Sequence, residues 1–204
     1  MSCRLLLVRH GETVDNVNKI MQGQTHGRLT LNGIEQAHEL GRKLRGEKID
    51  VFLSSDLQRA VETLEIIKKE THPLSPPCRE GSNIPSELET SEQETQNLEV
   101  STPLPVGRGR GVGLLLRERD WGSFTGRYIP DLQGEVWPDD IETLDALKDR
   151  SRQFLDYVCT HYQGKTVLAV GHGIINKAIQ SVYTGKPMNE IQKMTNCEVR
   201  ILEL

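Results

Sequence analysis

The stretch that decides the fold is Leu5-Leu6-Leu7-Val8-Arg9-His10-Gly11, near the start of the chain. An apolar run of strand length ends there in a cation and an imidazole, and in open α/β sheets ligands bind beyond the carboxyl ends of the strands. An unprotonated histidine is a nucleophile near neutral pH, and the planar guanidinium of arginine matches the oxygens of a phosphate. Gly11 would let the backbone turn sharply and approach a ligand closely. Taken alone, such a tripeptide is more typical of a surface turn.

A second stretch of the same design lies near the other end, Val167-Leu168-Ala169-Val170-Gly171-His172-Gly173. Again an apolar strand candidate runs into a histidine, here between two glycines. A buried histidine is often only a hydrogen-bonded core residue, but two histidines that both follow strands indicate two halves of one site. With these stretches the chain resembles the histidine phosphatase superfamily, which contains the cofactor-dependent phosphoglycerate mutases and the fructose-2,6-bisphosphatases. Within that superfamily it resembles the phosphatase branch.

Size and composition narrow the class of protein. A chain of 204 residues fits one domain with a substantial core, which we expect to span residues 1–204. The net charge of −4 does not favour a nucleic-acid or membrane partner, and we see neither a membrane-spanning run nor a signal-peptide pattern. The cysteines are scattered without paired spacing, which favours a reducing cytoplasm over a disulfide framework. They are Cys3, Cys78, Cys159 and Cys197.

Apolar runs of strand length alternate with amphipathic stretches along the chain. Strands are predicted at residues 3–8, 50–55, 166–170 and 198–204, the last of them at a sheet edge. Such alternation predicts an α/β fold, a single three-layer α/β/α domain with a mostly parallel central sheet.

Helices are predicted between these strands. One begins after Thr30 as its N-cap, and the next begins after Ser55 or Asp56. Two more are predicted over 138–160 and 173–183. The helix at 138–160 would carry acidic side chains in its first turn, where the helix dipole favours them, namely Asp139, Asp140 and Glu142.

Residues 75–105 differ in character from the rest of the chain. Pro, Ser, Thr and Glu make up 19 of these 31 residues, and six Glu against Arg79 give a local charge of −5. Such a segment buries too little apolar surface to offset the entropy cost of ordering it. A Gly-Arg-Gly-Arg-Gly run at 107–111 follows and is best explained as a flexible hinge. We therefore predict a disordered acidic insertion over 75–110.

Arg59 is a further candidate, in the first turn of a predicted helix. A cation is electrostatically misplaced at a helix N-terminus unless a bound anion lies between the two. A surface ion pair with Asp56 or Glu62 explains the residue equally well. The pattern Ser-Ser-Asp-Leu-x-Arg-Ala at 54–60 is similar to the second arginine motif of the superfamily, which implies that Arg59 binds phosphate.

Glu118 follows the apolar run at 114–116. Hydrolysis of a phosphate ester needs an acid that protonates the leaving oxygen, and a carboxyl group in a partly dry pocket can supply it. The chemistry alone slightly favours a self-contained loop in which Glu118 and Asp120 pair with Arg117 and Arg119. The pattern Leu-x-Glu-Arg-x-aromatic-Gly at 116–122 is similar to the acid loop of the superfamily, which implies Glu118 as the proton donor and Asp120 as the fallback.

The resemblance implies phosphoryl transfer through a covalent phosphohistidine on His10, with Arg9, Arg59 and His172 as three cationic groups around the phosphate. We expect a phosphomonoesterase without cofactor or metal that acts on a small phosphorylated metabolite, such as a sugar phosphate or a phospho-acid. The expected assembly is a monomer or a homodimer. A further set of residues is expected to bind substrate, namely Asn16, Gln22, Gly23, Arg119 and Gly173.

Two alternatives remain open. A cofactor-dependent phosphoglycerate mutase would use the same catalytic residues. It is disfavoured because only about 19 residues separate Glu118 from the helix predicted at 138, and Arg127 is the only basic residue among them after Arg119. The other alternative is a non-catalytic binding protein that acts through the acidic insertion, but none of the four Arg and His candidates has been lost.

Overall fold

The fold was taken from a computed structural model, which describes residues 2–72 and 111–204; the insertion predicted at 75–110 lies outside the described residues. The strands of the described part are β1 (Arg4–Arg9), β2 (Val51–Ser54), β3 (Thr166–Gly171) and β4 (Val199–Glu203). They form one sheet in the order β2-β3-β1-β4. β3 runs parallel to both β1 and β2, whereas β4 runs antiparallel to β1. The prediction of a mostly parallel sheet with the last strand at its edge is confirmed.

Helices cover both faces of this sheet. In chain order the described part contains α1 (Val14–Val17), α2 (Leu31–Lys43), α3 (Gln58–Thr71), α4 (Val112–Leu115), α5 (Leu144–His161) and α6 (Gly173–Thr184). Short 3-10 turns lie at Gly122–Phe124, Ile129–Leu132 and Met188–Glu190.

The central strands are apolar throughout because each of their faces packs against a pair of helices. Side chains alternate along β1, so Leu5 and Leu7 pack with α5 and α6 while Leu6 and Val8 pack with α2 and α3. All four leucine and valine side chains are buried. The predicted three-layer α/β/α architecture is therefore confirmed.

The starts of α2 and α3 have different causes. Thr30 is the N-cap of α2, as predicted, and its hydroxyl accepts a hydrogen bond from the Gly33 amide. The prediction that Ser55 or Asp56 caps α3 is wrong, since its N-cap is Leu57, which makes no side-chain cap bond. The Asp56 carboxylate instead pairs with the guanidinium of Arg117, 61 residues further along the chain.

Helix α5 begins at Leu144, six residues later than predicted. Its N-cap is Thr143, whose hydroxyl accepts from the Ala146 amide. The acidic residues predicted in its first turn therefore precede the helix, and tertiary partners bind two of them. The Asp140 carboxylate accepts from the Ser123 amide, and the Glu142 carboxylate binds Arg150.

Gly11 has a packing role that we did not expect. A Cβ atom at Gly11 would lie only 2.4 Å from the carbonyl oxygen of Gly33, at the start of α2. The missing side chain therefore lets α2 approach the end of β1 closely, and the expected approach to a ligand stays a prediction. Within the described ranges, no helix combines the length and the apolar character that a membrane crossing requires.

Candidate active site

The two strand-end histidines meet at the carboxyl edge of the sheet. β1 and β3 are parallel neighbours, with Arg9 in register with Gly171. The next residue of each strand is therefore a histidine at the same edge, and the ring centroids of His10 and His172 are 5.1 Å apart. His10 is 2% exposed and His172 is fully buried.

Arg59 connects the two imidazoles. It comes from the first turn of α3, and it is only 1% exposed. Its Nε donates to His10 Nε2 at 3.3 Å and to His172 Nδ1 at 3.1 Å. The alternative of a surface ion pair is wrong, because Asp56 binds Arg117 and Glu62 accepts from Gln58.

The hydrogen-bond partners assign the tautomers of both rings. His10 Nδ1 lies 2.7 Å from the Gly11 carbonyl, which can only accept, so Nδ1 carries the proton and Nε2 carries a lone pair. His172 Nδ1 accepts from Arg59, so its proton is on Nε2. That Nε2 is buried without a partner among the described residues. The site thus holds a free N–H donor beside a nucleophilic nitrogen.

Both imidazoles are neutral near pH 7. Burial, and after it the charge of Arg59, lowers the pKa of His10 well below its usual range. The same two causes lower the pKa of His172. Without a ligand His172 is therefore neutral, and its expected role as a cationic group around a bound phosphate stays a prediction. Burial also lowers the pKa of Arg59, to about 10, so that this guanidinium remains charged at neutral pH.

Glu118 is held at the N-terminus of α6. Its Oε1 accepts from the backbone amides of Arg119, Ile174 and Ile175 at 2.9 to 3.1 Å. Among residues 2–72 and 111–204, Oε2 accepts only from the Ile174 amide. The self-contained loop that the chemistry favoured is wrong, since Arg117 binds Asp56 and Arg119 donates its Nε to the Glu142 carbonyl.

Gly173 lies between Glu118 and Arg9. A Cβ atom there would be 3.6 Å from Glu118 Oε2 and 3.7 Å from Arg9 Nε. Arg9 Nη1 donates to the Met194 carbonyl at 2.8 Å, and its Nε is buried without a partner among the described residues. The carboxyl and guanidinium groups therefore face one small space. Asp120, the fallback acid, instead accepts from the Gly122 amide in an exposed turn.

The expected substrate-binding residues divide into two groups. Asn16, Gln22 and Gly23 lie beside the histidines. The Gly23 carbonyl accepts a hydrogen bond from Arg59 Nη2 at 2.9 Å, and Asn16 Nδ2 donates to Gln22 Oε1. Arg119 makes no hydrogen bond to these three residues in the described part of the chain. Its guanidinium lies over the indoles of Trp121 and Trp137, 4.7 and 5.2 Å from the ring centroids.

Loop carbonyls occupy the other donors of Arg59. Nη1 donates to the carbonyls of Thr25 and His26, and Nη2 to that of Gly23. These are the N–H groups that a phosphate would need. These carbonyls belong to the segment 23–27, whose two end residues, Gly23 and Gly27, are both at positive φ.

Sequence analysis did not identify the residues that fix the backbone of the site through hydrogen bonds to its carbonyl groups. Arg150 of α5 donates to the carbonyls of Leu115, Arg117 and Glu118 and to the Glu142 carboxylate. Asn196 Nδ2 donates to the His10 carbonyl at 3.0 Å. Of these supporting residues the sequence analysis named only Glu142, and only for its acidic charge in the first turn of a predicted helix. Arg150 and Asn196 stand in no motif.

The described ranges contain no group of three or more His, Cys, Asp or Glu side chains that could hold a metal ion. The expected independence from metals stays a prediction about the reaction.

Comparison with known proteins agrees with this geometry. The "Uncharacterized phosphatase PhoE" of Bacillus subtilis (strain 168) is 29% identical over 195 residues, which cover 93% of this chain and 82% of that protein. The "Probable phosphoglycerate mutase GpmB" of Citrobacter koseri is 30% identical over 205 residues, with 96% and 82% covered. A solved phosphoserine phosphatase of Entamoeba histolytica shares the fold, with a TM-score of 0.69 at 22% identity over 98% of this chain and 89% of that one.

A family model matches residues 5–81 and 114–204, which include every catalytic candidate and most of the chain. Its description is the histidine phosphatase superfamily, branch 1. The chain therefore belongs to the histidine phosphatase superfamily.

Proposed function

We propose that this protein is a metal-independent phosphomonoesterase that hydrolyses small phosphorylated metabolites through a phosphohistidine intermediate. The observation that carries the proposal is that one Arg59 Nε–H donates to the Nε2 lone pair of His10 and to Nδ1 of His172, which leaves the Nε2–H of His172 as an unpartnered donor among the described residues. A nucleophile beside a buried donor and a guanidinium provides what in-line phosphoryl transfer needs.

In the first step His10 Nε2 attacks phosphorus as the bond to the leaving oxygen breaks. The electron pair of that bond stays on the oxygen, which takes a proton from Glu118. Oε2 is the oxygen suited to carry this proton, because it accepts one amide hydrogen bond whereas Oε1 accepts three. Water then attacks phosphorus, gives its proton to Glu118, and the phosphorus–nitrogen electrons return to Nε2.

The equatorial phosphate oxygens would lie among Arg9, Arg59 and His172. The two guanidiniums supply fixed positive charge where the transition state is most negative. His172 contributes its Nε2–H as a neutral donor, and a bound phosphate would favour protonation of that ring. Gly173 lies beside Glu118 Oε2, on the side from which the leaving group would depart.

Hydrolysis is favoured over mutase chemistry by the cap between Glu118 and α5. A mutase must exclude water from the phosphoenzyme and hold the substrate between the two transfer steps, for which a cap supplies cover and basic side chains. Both basic residues of this segment are already bound: Arg127 pairs with Glu135, and Arg119 lies against two indoles. The mutase remains the second candidate because GpmB, one of the relatives, carries that name.

Hydrolysis of p-nitrophenyl phosphate in EDTA, by wild type and His10→Ala in parallel, tests the proposal. A 3-phosphoglycerate interconversion assay with a bisphosphate primer is run on the same samples. We expect hydrolysis in EDTA that the substitution abolishes, and no interconversion. Primer-dependent interconversion would identify a mutase. Inactivity of folded wild type in both assays would refute catalysis and favour a binding role.

A further inference from the structure

A cavity of about 380 Å³ opens beside Arg9, outside the buried histidine pair. Its polar wall contains three basic side chains, Arg9, Lys19 and Lys193, and one carboxylate, Asp15. Ile20 and Ile129 form the apolar part of the wall. A volume of this size matches the lower range of small-molecule sites, which combine an apolar lining with a few polar groups.

The charge of this cavity is not neutralised by its own carboxylate. Asp15 already accepts a hydrogen bond from Gln22 Nε2 at 3.0 Å. Neither Lys19 nor Lys193 pairs with a carboxylate in the part of the chain that the structure describes. Three positive groups against one negative group leave a net charge of about +2 on the wall at neutral pH.

The cavity is continuous with the catalytic residues. Arg9 belongs to both, and Asn16 lines the cavity while it contacts Gln22 and Asn196 beside His10. Lys193 reaches furthest inward: its Cε lies 3.7 Å from the position of a Cβ at Gly173. Glu118 Oε2 and Arg9 Nε lie 3.6 and 3.7 Å from that same position. Lys193 therefore adjoins the side from which the leaving group would depart.

We propose that this cavity binds a second anionic group of the substrate, a carboxylate or another phosphate, with Lys19 and Lys193 as its ligands. The inference rests on the proposed phosphatase function, because the first phosphate is placed at His10. It narrows the substrate class to phosphorylated metabolites that carry a second acidic group.

The environment of Lys193 agrees with this assignment. Burial lowers its pKa, and the charge of Arg9 lowers it further. A bound anion would relieve the repulsion between the two cations, as a carboxylate or phosphate does in a charge-assisted hydrogen bond. An empty cavity therefore carries an electrostatic cost that an acidic ligand removes and a neutral ligand does not.

The test compares substrates that differ only in the second group. In the first pair, 3-phosphoglycerate carries a carboxylate where glycerol 3-phosphate carries a hydroxymethyl group. In the second pair, fructose 1,6-bisphosphate carries a second phosphate that fructose 6-phosphate lacks. We expect wild type to prefer the acidic member of at least one pair in kcat/KM by roughly tenfold. Lys193→Gln and Lys19→Gln should each remove much of that preference, measured as the ratio of kcat/KM for the acidic member to kcat/KM for the neutral member of the pair.

Lys165→Gln is the matched control, because this exposed lysine precedes β3 at the opposite edge of the sheet. It should keep the full preference. The subsite would be overturned if the lysine variants lost kcat/KM equally on the acidic and neutral members, or if wild type showed no preference. Hydrolysis of p-nitrophenyl phosphate by wild type would still support the phosphatase proposal in either case.

Calorimetric binding of the same pairs to His10→Ala separates the two hypotheses, since binding needs no turnover. Tighter binding of the acidic member, weakened by adding Lys193→Gln, would support the subsite even if the phosphatase proposal failed. Equal affinities for both members of each pair would overturn it.

Discussion

Replacement of Arg150 by methionine should destabilise the protein and also impair the proposed acid. The Arg150 guanidinium makes five hydrogen bonds: two to the Glu142 carboxylate at 2.6 and 2.8 Å, and three to backbone carbonyls. One of those carbonyls belongs to Glu118, so the arginine fixes the backbone that carries the acid. Methionine keeps the apolar stem of the side chain and removes every donor.

The magnitude follows from burial. The side chains of Arg150 and Glu142 are 14% and 15% exposed, so this pair is far better shielded than an ordinary surface pair. Breaking a fully buried pair costs about 3–5 kcal/mol, and partial solvent access reduces this to about 3 kcal/mol here. For a chain of this size that corresponds to a fall in Tm of roughly 6–12 °C. We expect kcat/KM to fall about tenfold, mainly through kcat.

Thermal unfolding of Arg150→Met, Glu142→Gln and the double variant measures this coupling. Arg152→Met is the control two residues away on α5, because Arg152 forms only an exposed pair with Asp149 and should cost less than about 1 kcal/mol. A loss at Arg150 no larger than at Arg152 would refute the reasoning. So would a coupling energy below about 0.5 kcal/mol between the two partners.

Three further predictions concern protonation, loop movement and packing. Burial lowers the pKa of His10 and His172 in the folded state, so the unfolded chain binds more protons below about pH 6.5. The free energy of unfolding should then fall as the pH drops, by up to about 1.4 kcal/mol per unit for each histidine, and urea titrations of His172→Gln should show a shallower fall. Orthovanadate, a phosphate mimic, should displace the loop carbonyls from the active-site arginine and change the fluorescence of Trp121, which borders that loop; an equal change in Trp121→Phe would contradict this. Gly33→Ala would place a Cβ atom 2.1 Å from a backbone oxygen and should cost about 1–3 kcal/mol in chemical denaturation, whereas Gly111→Ala meets nothing within 4 Å and should be near neutral.

The strands and the layer order could be predicted because they depend on patterns that are local in the chain. β1 and β3 are apolar on both faces, which is expected only where helices cover both sides of a sheet. The start of α5 could not be predicted in the same way. Asp140 and Glu142 suit a helix N-terminus by composition, but the Ser123 amide and Arg150 bind them in the fold.

The residues of the candidate site likewise divide into those that the sequence could place and those that it could not. His10 and His172 could be paired from sequence because parallel strands end at one edge of a sheet. Arg59 could not be placed by chemistry alone, since a surface pair with Asp56 was equally reasonable until Arg117 was found bound to that carboxylate. Glu118 required the N-terminus of α6, which lies more than fifty residues further along the chain.

By itself, therefore, the sequence determined the class of fold, the two strand-end histidines and the superfamily. It could do so because apolar periodicity and glycine-flanked strand ends are properties of neighbouring residues. Only the tertiary structure decided the protonated nitrogen of each imidazole, the burial of Arg59, the anchoring of Glu118 and the basic cavity at Lys193. Each of these depends on which distant groups compete for the same hydrogen bond or charge, and that competition is settled only when the chain is folded.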